Sequence, residues 1–301
     1  MPDLIPFERG SLVSLPNTGL ELKQITIPHF SRIDDWTGIW LMEPNAAHAL
    51  QRLVAATNWP EHMAAAPPKP ETNIRYESGR GGKNIAVIRM AGTLMKSQSS
   101  FGGGTSTVQV RRDIRAAVAD GDVSGILLSI DSPGGTVAGT AALGREVQEA
   151  GKIKPVYAHI EDMGASAAYW VASQAHKVFA DAQTTQVGSI GTYLTLYDYS
   201  AVAEREGVKV HHFATGPLKG LGADGVPITN EQASYLQGQV EKMQAEFDSA
   251  VRMGRNMSRN QLADVRTGGT FLANEAEKKG LIDGVKTLDQ TIKALASAKL
   301  S

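Results

Sequence analysis

Three segments of this 301-residue chain combine residue types and spacings that could do chemistry. The first is Ile130-Asp-Ser-Pro-Gly-Gly-Thr136, which directly follows an apolar run. A Pro-Gly-Gly turn at the end of a buried strand leaves backbone N–H groups free. The carboxyl edge of an open α/β sheet is also where ligands bind. Glycine lets a ligand approach the backbone closely, but the same three residues also make an ordinary tight turn. The second segment is Asp162-Met-Gly-Ala-Ser-Ala-Ala-Tyr-Trp170. Ser166 follows a strand and a glycine and opens a helix, whose N-terminus offers unpaired N–H groups and partial positive charge. That suits a nucleophile whose attack creates an oxyanion; taken alone, it more readily suits a serine that caps the helix. The third is Thr184-Thr-Gln-Val-Gly-Ser-Ile-Gly-Thr192, followed by Gly216-Pro-Leu-Lys-Gly220. A lysine serves as a general base only once burial has lowered its pKa from about 10.4. Taken alone, Lys219 reads more readily as a solvated surface lysine.

Other chemistries find less support. The chain has no cysteine, so disulfides, thiolate metal sites and thiol nucleophiles are excluded. Covalent chemistry must then use Ser, Thr, Lys or a carboxylate. None of the seven histidines falls in a metal-ligand pattern, and His211 and His212 are expected on opposite faces of a strand. No metal or cofactor is expected. The Gly102–Gly104 run lacks phosphate-loop spacing. A formal net charge of −1 argues against a dedicated nucleic-acid binder. The N-terminal residues do not read as a signal peptide, and no apolar run approaches the roughly 20 residues of a membrane span. The expectation is therefore a soluble, cytoplasmic protein.

The elements that must position these segments alternate in type. Strands are expected at Ile85–Met90, Ser124–Ile130, Pro155–Ile160, Val178–Ala180, Thr184–Val187, Thr192–Tyr199 and Val208–Phe213. Helices are expected around Val110–Val118, over Val137–Gly151 and over Ser166–His176. This alternation predicts an α/β fold of parallel strands covered by helices. A long helix follows Thr229, where Thr229 and Gln232 fit a capping box and Leu236, Val240, Met243, Phe247 and Val251 form an apolar stripe. Thr270–Val285 forms a final small unit whose short helix is closed by Gly280. Toward the N-terminus, Pro44–Asn58 reads as a short helix, with Ala47, Leu50, Leu53 and Val54 at helical spacing. The proline-rich run Ala64–Thr72 reads as a linker. We therefore divide the chain into an N-terminal extension, 1–75, and a main domain, 76–301.

Taken in order, Ser129-Ile-Asp-Ser-Pro-Gly-Gly135, Gly164-Ala-Ser-Ala-Ala-Tyr-Trp-Val-Ala-Ser173 and Val187-Gly-Ser-Ile-Gly191 resemble the signal peptide peptidase A family of serine peptidases, which includes phage head-maturation proteases. Gly135 to Ser166 spans 31 residues and Ser166 to Ser189 spans 23. Leu272–Asp283 resembles the family's closing helix and Gly-Leu-Ile-Asp turn, so the resemblance covers about residues 84–286. It implies the Clp/crotonase fold of spiralling ββα units. It also implies a Ser–Lys dyad with Ser166 as nucleophile and Lys219 as general base, and an oxyanion hole made by the N–H groups of Gly135 and Ala167. Ser189 is our own candidate for orienting the Lys219 amine. The family often has a Gly-Lys-Tyr-Lys-like run before that base; here it reads Gly216-Pro-Leu-Lys219, so the final lysine is kept and the first is absent. The Clp protease subunit, on the same fold, places its histidine in the strand corresponding to Gly188–Thr192, and this chain has none there.

The resemblance implies a protein or peptide substrate, with capsid or scaffold proteins of a phage as the first expectation, and a homo-oligomer. The Trp36–Pro44 run is similar to the lead-in of phage members. The alternatives are a soluble enzyme degrading short peptides, a catalytically inert capsid or assembly component, and a crotonase-like acyl-CoA enzyme.

Overall fold

The computed structural model describes residues 40–58, 72–97 and 104–299. Most of the expected linker and the first 39 residues lie outside them. The main body is built from long strands that run from one side of a sheet to the other, each followed by a return through short strands or helices. Strand β1 (Trp40–Met42) and helix α1 (Pro44–Ala56) come first. Pro44 takes the first helical position, where its missing N–H costs nothing, and Glu43 accepts a hydrogen bond from the Ala46 N–H. Of the apolar residues expected on its inner face, Ala47 is buried but Leu53 is exposed.

Two successive units then have the same construction. Strands β2 (Ile74–Ser78) and β3 (Asn84–Ala91) lead through short β4 (Leu94–Met95) and β5 (Thr105–Ser106) into helix α2 (Thr107–Ala119). Strand β6 (Val123–Ser132) leads through β7 (Gly134–Thr136) into α3 (Thr140–Gly151). In the third, β8 (Val156–Ala165) passes straight into the short helix α4 (Ala167–Ala172). Strands β9 (Lys177–Ala180) and β10 (Gln186–Gly188) follow, then α5 (Ser200–Arg205), the 25-residue α6 (Asn230–Gly254) and α7 (Arg259–Ala263). Strand β11 (Thr270–Leu272), α8 (Ala273–Lys278) and α9 (Leu288–Ala296) end the described chain.

The larger sheet has the order β11-β10-β8-β6-β3-β2, with β9 also paired to β8. Its centre, from β3 through β6 and β8 to β10, is parallel, while β2 and β11 are antiparallel additions at the edges. A parallel centre must be covered on both faces, and the residues divide accordingly. Ala86, Ile88 and Met90 of β3 join Val110, Ile114 and Ala117 of α2 in the main core. The alternate residues Ile85 and Val87, with Leu127, pack against Leu295, Leu288 and Ile292 of α9. The smaller sheet has the order β1-β7-β4-β5 and stands where the long strands end.

The α/β class, the principal strands and the α6 capping box agree with the sequence: the Thr229 hydroxyl accepts from the Gln232 N–H, and the Gln232 side chain accepts from the Thr229 N–H. Three expectations need correction. Thr192–Tyr199 and Val208–Phe213 are not strands. Both edges of β10 are taken, by β8 and β11, so neither segment can pair with the strand that precedes it. Their apolar residues consequently point to solvent, with Phe213 90% exposed. His211 and His212 therefore do not sit on a strand; the His212 Nε2 lies 2.9 Å from the Lys219 carbonyl oxygen. The helix expected over Ser166–His176 stops at Ala172. There the Ser173 hydroxyl and Gln174 amide both bond the Trp170 carbonyl, and the His176 N–H turns to the Val156 carbonyl.

Among the described residues, no helix is long and apolar enough to cross a membrane.

Candidate active site

Ser166 stands at the junction where β8 ends and α4 begins. Its own N–H donates to the Gly188 carbonyl at 2.7 Å, and its carbonyl accepts from the Trp170 N–H at 2.8 Å. Its backbone adopts φ 52° and ψ −117°, a conformation L-residues rarely take, which costs on the order of 1–3 kcal/mol. The side chain does not cap the helix. The hydroxyl is fully buried and has no hydrogen-bond partner. A buried, unpaired hydroxyl costs about 1–3 kcal/mol. Two unfavourable features thus meet at one residue, held by backbone bonds on either side. The helix-cap alternative left open by the sequence is therefore set aside by the geometry.

The surroundings of Ser166 are glycine and alanine because nothing larger fits. A Cβ on Gly134 would overlap the Leu41 carbonyl oxygen and stand 2.9 Å from the Ser166 Cβ. Gly134 also adopts φ 103°, open to glycine. A Cβ on Gly135 would overlap the backbone of Leu94. Gly135 is the central residue of β7, paired with Leu41 on one side and Leu94 on the other. The Gly134 N–H is tied back to the Ser132 hydroxyl at 3.2 Å, and that hydroxyl donates to the Gly92 carbonyl. Ala167, the first residue of α4, is completely buried. Gly134 thus lies against the serine, Gly135 follows it in β7, and Ala167 follows the serine in the chain.

Ser189 is brought close to this centre, one residue after the carbonyl that anchors Ser166. It too has positive φ, 50°, and is buried. Its hydroxyl donates to the Gly268 carbonyl at 3.1 Å and its N–H to Gly269 at 2.7 Å. The hydroxyl donor is thereby used, while its lone pairs stay available to an amine.

Lys219 is not brought into the site. It is exposed, its N–H bonds the Gly216 carbonyl at 3.1 Å, and its amine does not reach the unpaired Ser166 hydroxyl. It belongs to the 193–228 segment, which holds one short helix and no strand. A cleft in that segment, lined by Ser200, Val208 and Pro227 among others, does not include Ser166.

Sequence reasoning missed one neighbour of the site. Strand β1 lies against β7, and Trp40 exchanges two backbone hydrogen bonds with Tyr193, at 2.9 and 3.2 Å. Burial, with a smaller contribution from Glu43, pushes the Tyr193 phenol up to about 12. The apolar run Ile39–Met42 was the available signal, but its partner strand lies more than 90 residues away in the chain.

Fold and site together define an α/β protein with a strained, buried serine at a strand–helix junction beside a glycine-rich strand. Residues 148–300 match peptidase family S49. The chain belongs to that family. Among curated relatives, it is 34% identical over 176 residues to a protease candidate of Methanocaldococcus jannaschii, covering 58% of this chain and 56% of that one. It is 29% identical over 181 residues to a signal peptide peptidase SppA candidate of Enterococcus faecium, covering 60% and 52%. It is 28% identical over 217 residues to the capsid assembly protease C of Escherichia phage lambda, covering 71% and 49%. The chain thus spans about half the length of these relatives. Among solved structures, a ClpP1 variant of Listeria monocytogenes aligns over 69% of this chain and 94% of that one, at 13% identity and a TM-score of 0.43.

Proposed function

We propose that the protein is a serine endopeptidase in which Ser166 is the nucleophile and Lys219 the general base. The observation that carries this reading is the Ser166 side chain: buried, unpaired, held at positive φ and not used as a cap. A purely structural serine gains nothing from that combination, whereas a nucleophile needs a fixed hydroxyl free of competing bonds. Neutral Lys219 takes the Ser166 proton as Oγ attacks the peptide carbonyl. The Gly135 and Ala167 N–H groups bind the oxyanion that forms. The intermediate then collapses as the amine leaves with the proton from Lys219, and water, deprotonated by the same lysine, releases the acyl group.

This mechanism requires the 193–228 segment to close over Ser166 and bury the Lys219 amine. The exposure of Tyr197, Val208 and Phe213 supports such a movement, because a second copy of the chain would cover them. Leu236, Val240 and Met243, only partly covered on α6, support the same homo-oligomer. In that arrangement Ser189 accepts a hydrogen bond from the lysine amine and orients it.

The substrates we infer are capsid-assembly proteins of a phage, a reading supported by the similarity to the lambda protease. Degradation of short peptides is a second reading, favoured by the similarity to the SppA candidate of E. faecium. The test is to incubate wild type and Ser166→Ala with capsid and scaffold proteins, and in parallel with short peptides, and to map fragments by mass spectrometry. Wild type is expected to yield discrete cuts that Ser166→Ala does not. Equal fragmentation by both proteins would overturn the nucleophile assignment.

A further inference from the structure

The Ser166 hydroxyl is covered by the protein's own chain. Trp40 directs its N–H and carbonyl to Tyr193, exchanging two bonds with it. Successive residues of a strand face opposite neighbours, so Leu41 directs its N–H and carbonyl to the other side, where its registered partner is Gly135. The next alternate residue, Glu43, confirms the pattern by donating to the Pro133 carbonyl at 2.8 Å. The Leu41 carbonyl oxygen and the Ser166 Cβ both border the position that a Gly134 side chain would take. The Leu41 carbonyl oxygen thus lies on the face of Gly134 that also meets Ser166, and it belongs to the residue in register with Gly135, the proposed oxyanion donor. Leu41 is completely buried, as is Ser166.

We propose that the slot between Gly134–Thr136 and Tyr193 is the acyl-side substrate groove, and that Trp40–Met42 fills it as an internal strand in the manner of a substrate. The inference rests on Ser166 being the nucleophile. It identifies the substrate as an extended peptide that adds a strand antiparallel to β7. A large apolar side chain, in the place of Leu41, immediately precedes the bond to be cut, and Leu41–Met42 is the bond now presented. It follows that β1 must leave before any other peptide can enter.

The experiment uses the full chain and a fluorescence-quenched peptide of sequence Thr37–Ala46. Two variants loosen β1 by different means. Leu41→Asp places a charge in the buried position, and Trp40→Pro removes the N–H that bonds Tyr193 while leaving Leu41 intact. Each is expected to raise kcat/KM at least about 10-fold, chiefly through KM, with cleavage after the leucine. Each is also expected to speed labelling of Ser166 by a leucyl phosphonate by a similar factor. Should Leu41→Asp not fold, Trp40→Pro decides. If Ser166 is labelled in every form but neither rate rises above wild type, the groove assignment fails and the nucleophile stands. If no form is labelled at Ser166 or hydrolyses the peptide, the nucleophile assignment itself has failed.

Discussion

The two halves of the proposed dyad sit in opposite surroundings. Ser166 is held by backbone hydrogen bonds to Gly188 and Trp170, within a core of fully buried alanines and Tyr169. Lys219 sits on a segment without strands, where Val208, Val210 and Phe213 are exposed. The rigid region stores strain at the serine because its neighbours fix the backbone on both sides. The open region stores none, having too few packed contacts to hold any. Chemistry placed across such a pair can be switched by moving one side, and the exposed side, with less buried surface, is the cheaper one to move.

Breaking the rigid side should have the largest effect on activity. Ser166→Ala is expected to reduce peptide hydrolysis by roughly 10⁴-fold or more without lowering Tm, because the hydroxyl makes no bond in the folded chain. A drop in Tm with activity retained would reverse the assignment. Lys219→Ala should lower kcat by about 10²–10⁴-fold near neutral pH, again with Tm unchanged, since the side chain is exposed. Full activity in that variant would place the base elsewhere.

The rigid side also predicts stability effects that the open side lacks. Asp283, in the Gly-Leu-Ile-Asp turn, accepts from the Val178 N–H, Lys177 and Arg255 at 2.8–2.9 Å. Burial alone would raise its carboxyl, but the Arg255 charge and these bonds outweigh it and hold it below the ordinary carboxylate value. The stability it contributes is therefore fully present above about pH 4, the unfolded value, and is lost as pH falls through the lower folded value. Asp283→Asn should cost about 3 kcal/mol by urea unfolding at pH 7 and remove that part of the acid dependence. Gly135→Ala should cost at least about 2 kcal/mol, because the new Cβ meets Leu94 backbone that cannot move aside cheaply. Phe213→Ser marks the other extreme: the monomer's stability should change by no more than about 0.5 kcal/mol, while sedimentation should show weaker self-association.

This contrast also explains what the sequence could reveal. The three ordered motifs pointed to Ser166, and the apolar runs gave β6 and β8 because those strands are buried whatever surrounds them. The Thr229 capping box is local, so α6 was legible at its start. Val208–Phe213 looks like a strand for an equally local reason, its alternating apolar residues, but a strand also needs a free edge, and that depends on where β11 lies. Whether Ser166 caps its helix depends on a φ angle set by Gly188, 22 residues away. The pairing of β1 with β7 is a long-range register that no local pattern encodes. Lys219 was legible only through spacing and a partial motif, and the folded chain leaves it exposed, without a bond to the Ser166 hydroxyl.

The most direct measurement of the central claim is covalent labelling of the full chain with a fluorophosphonate, with the modified residue located by mass spectrometry. Our account predicts stoichiometric modification at Ser166, abolished in Ser166→Ala and slowed in Lys219→Ala. Modification at another serine, or labelling that persists in Ser166→Ala, would contradict it.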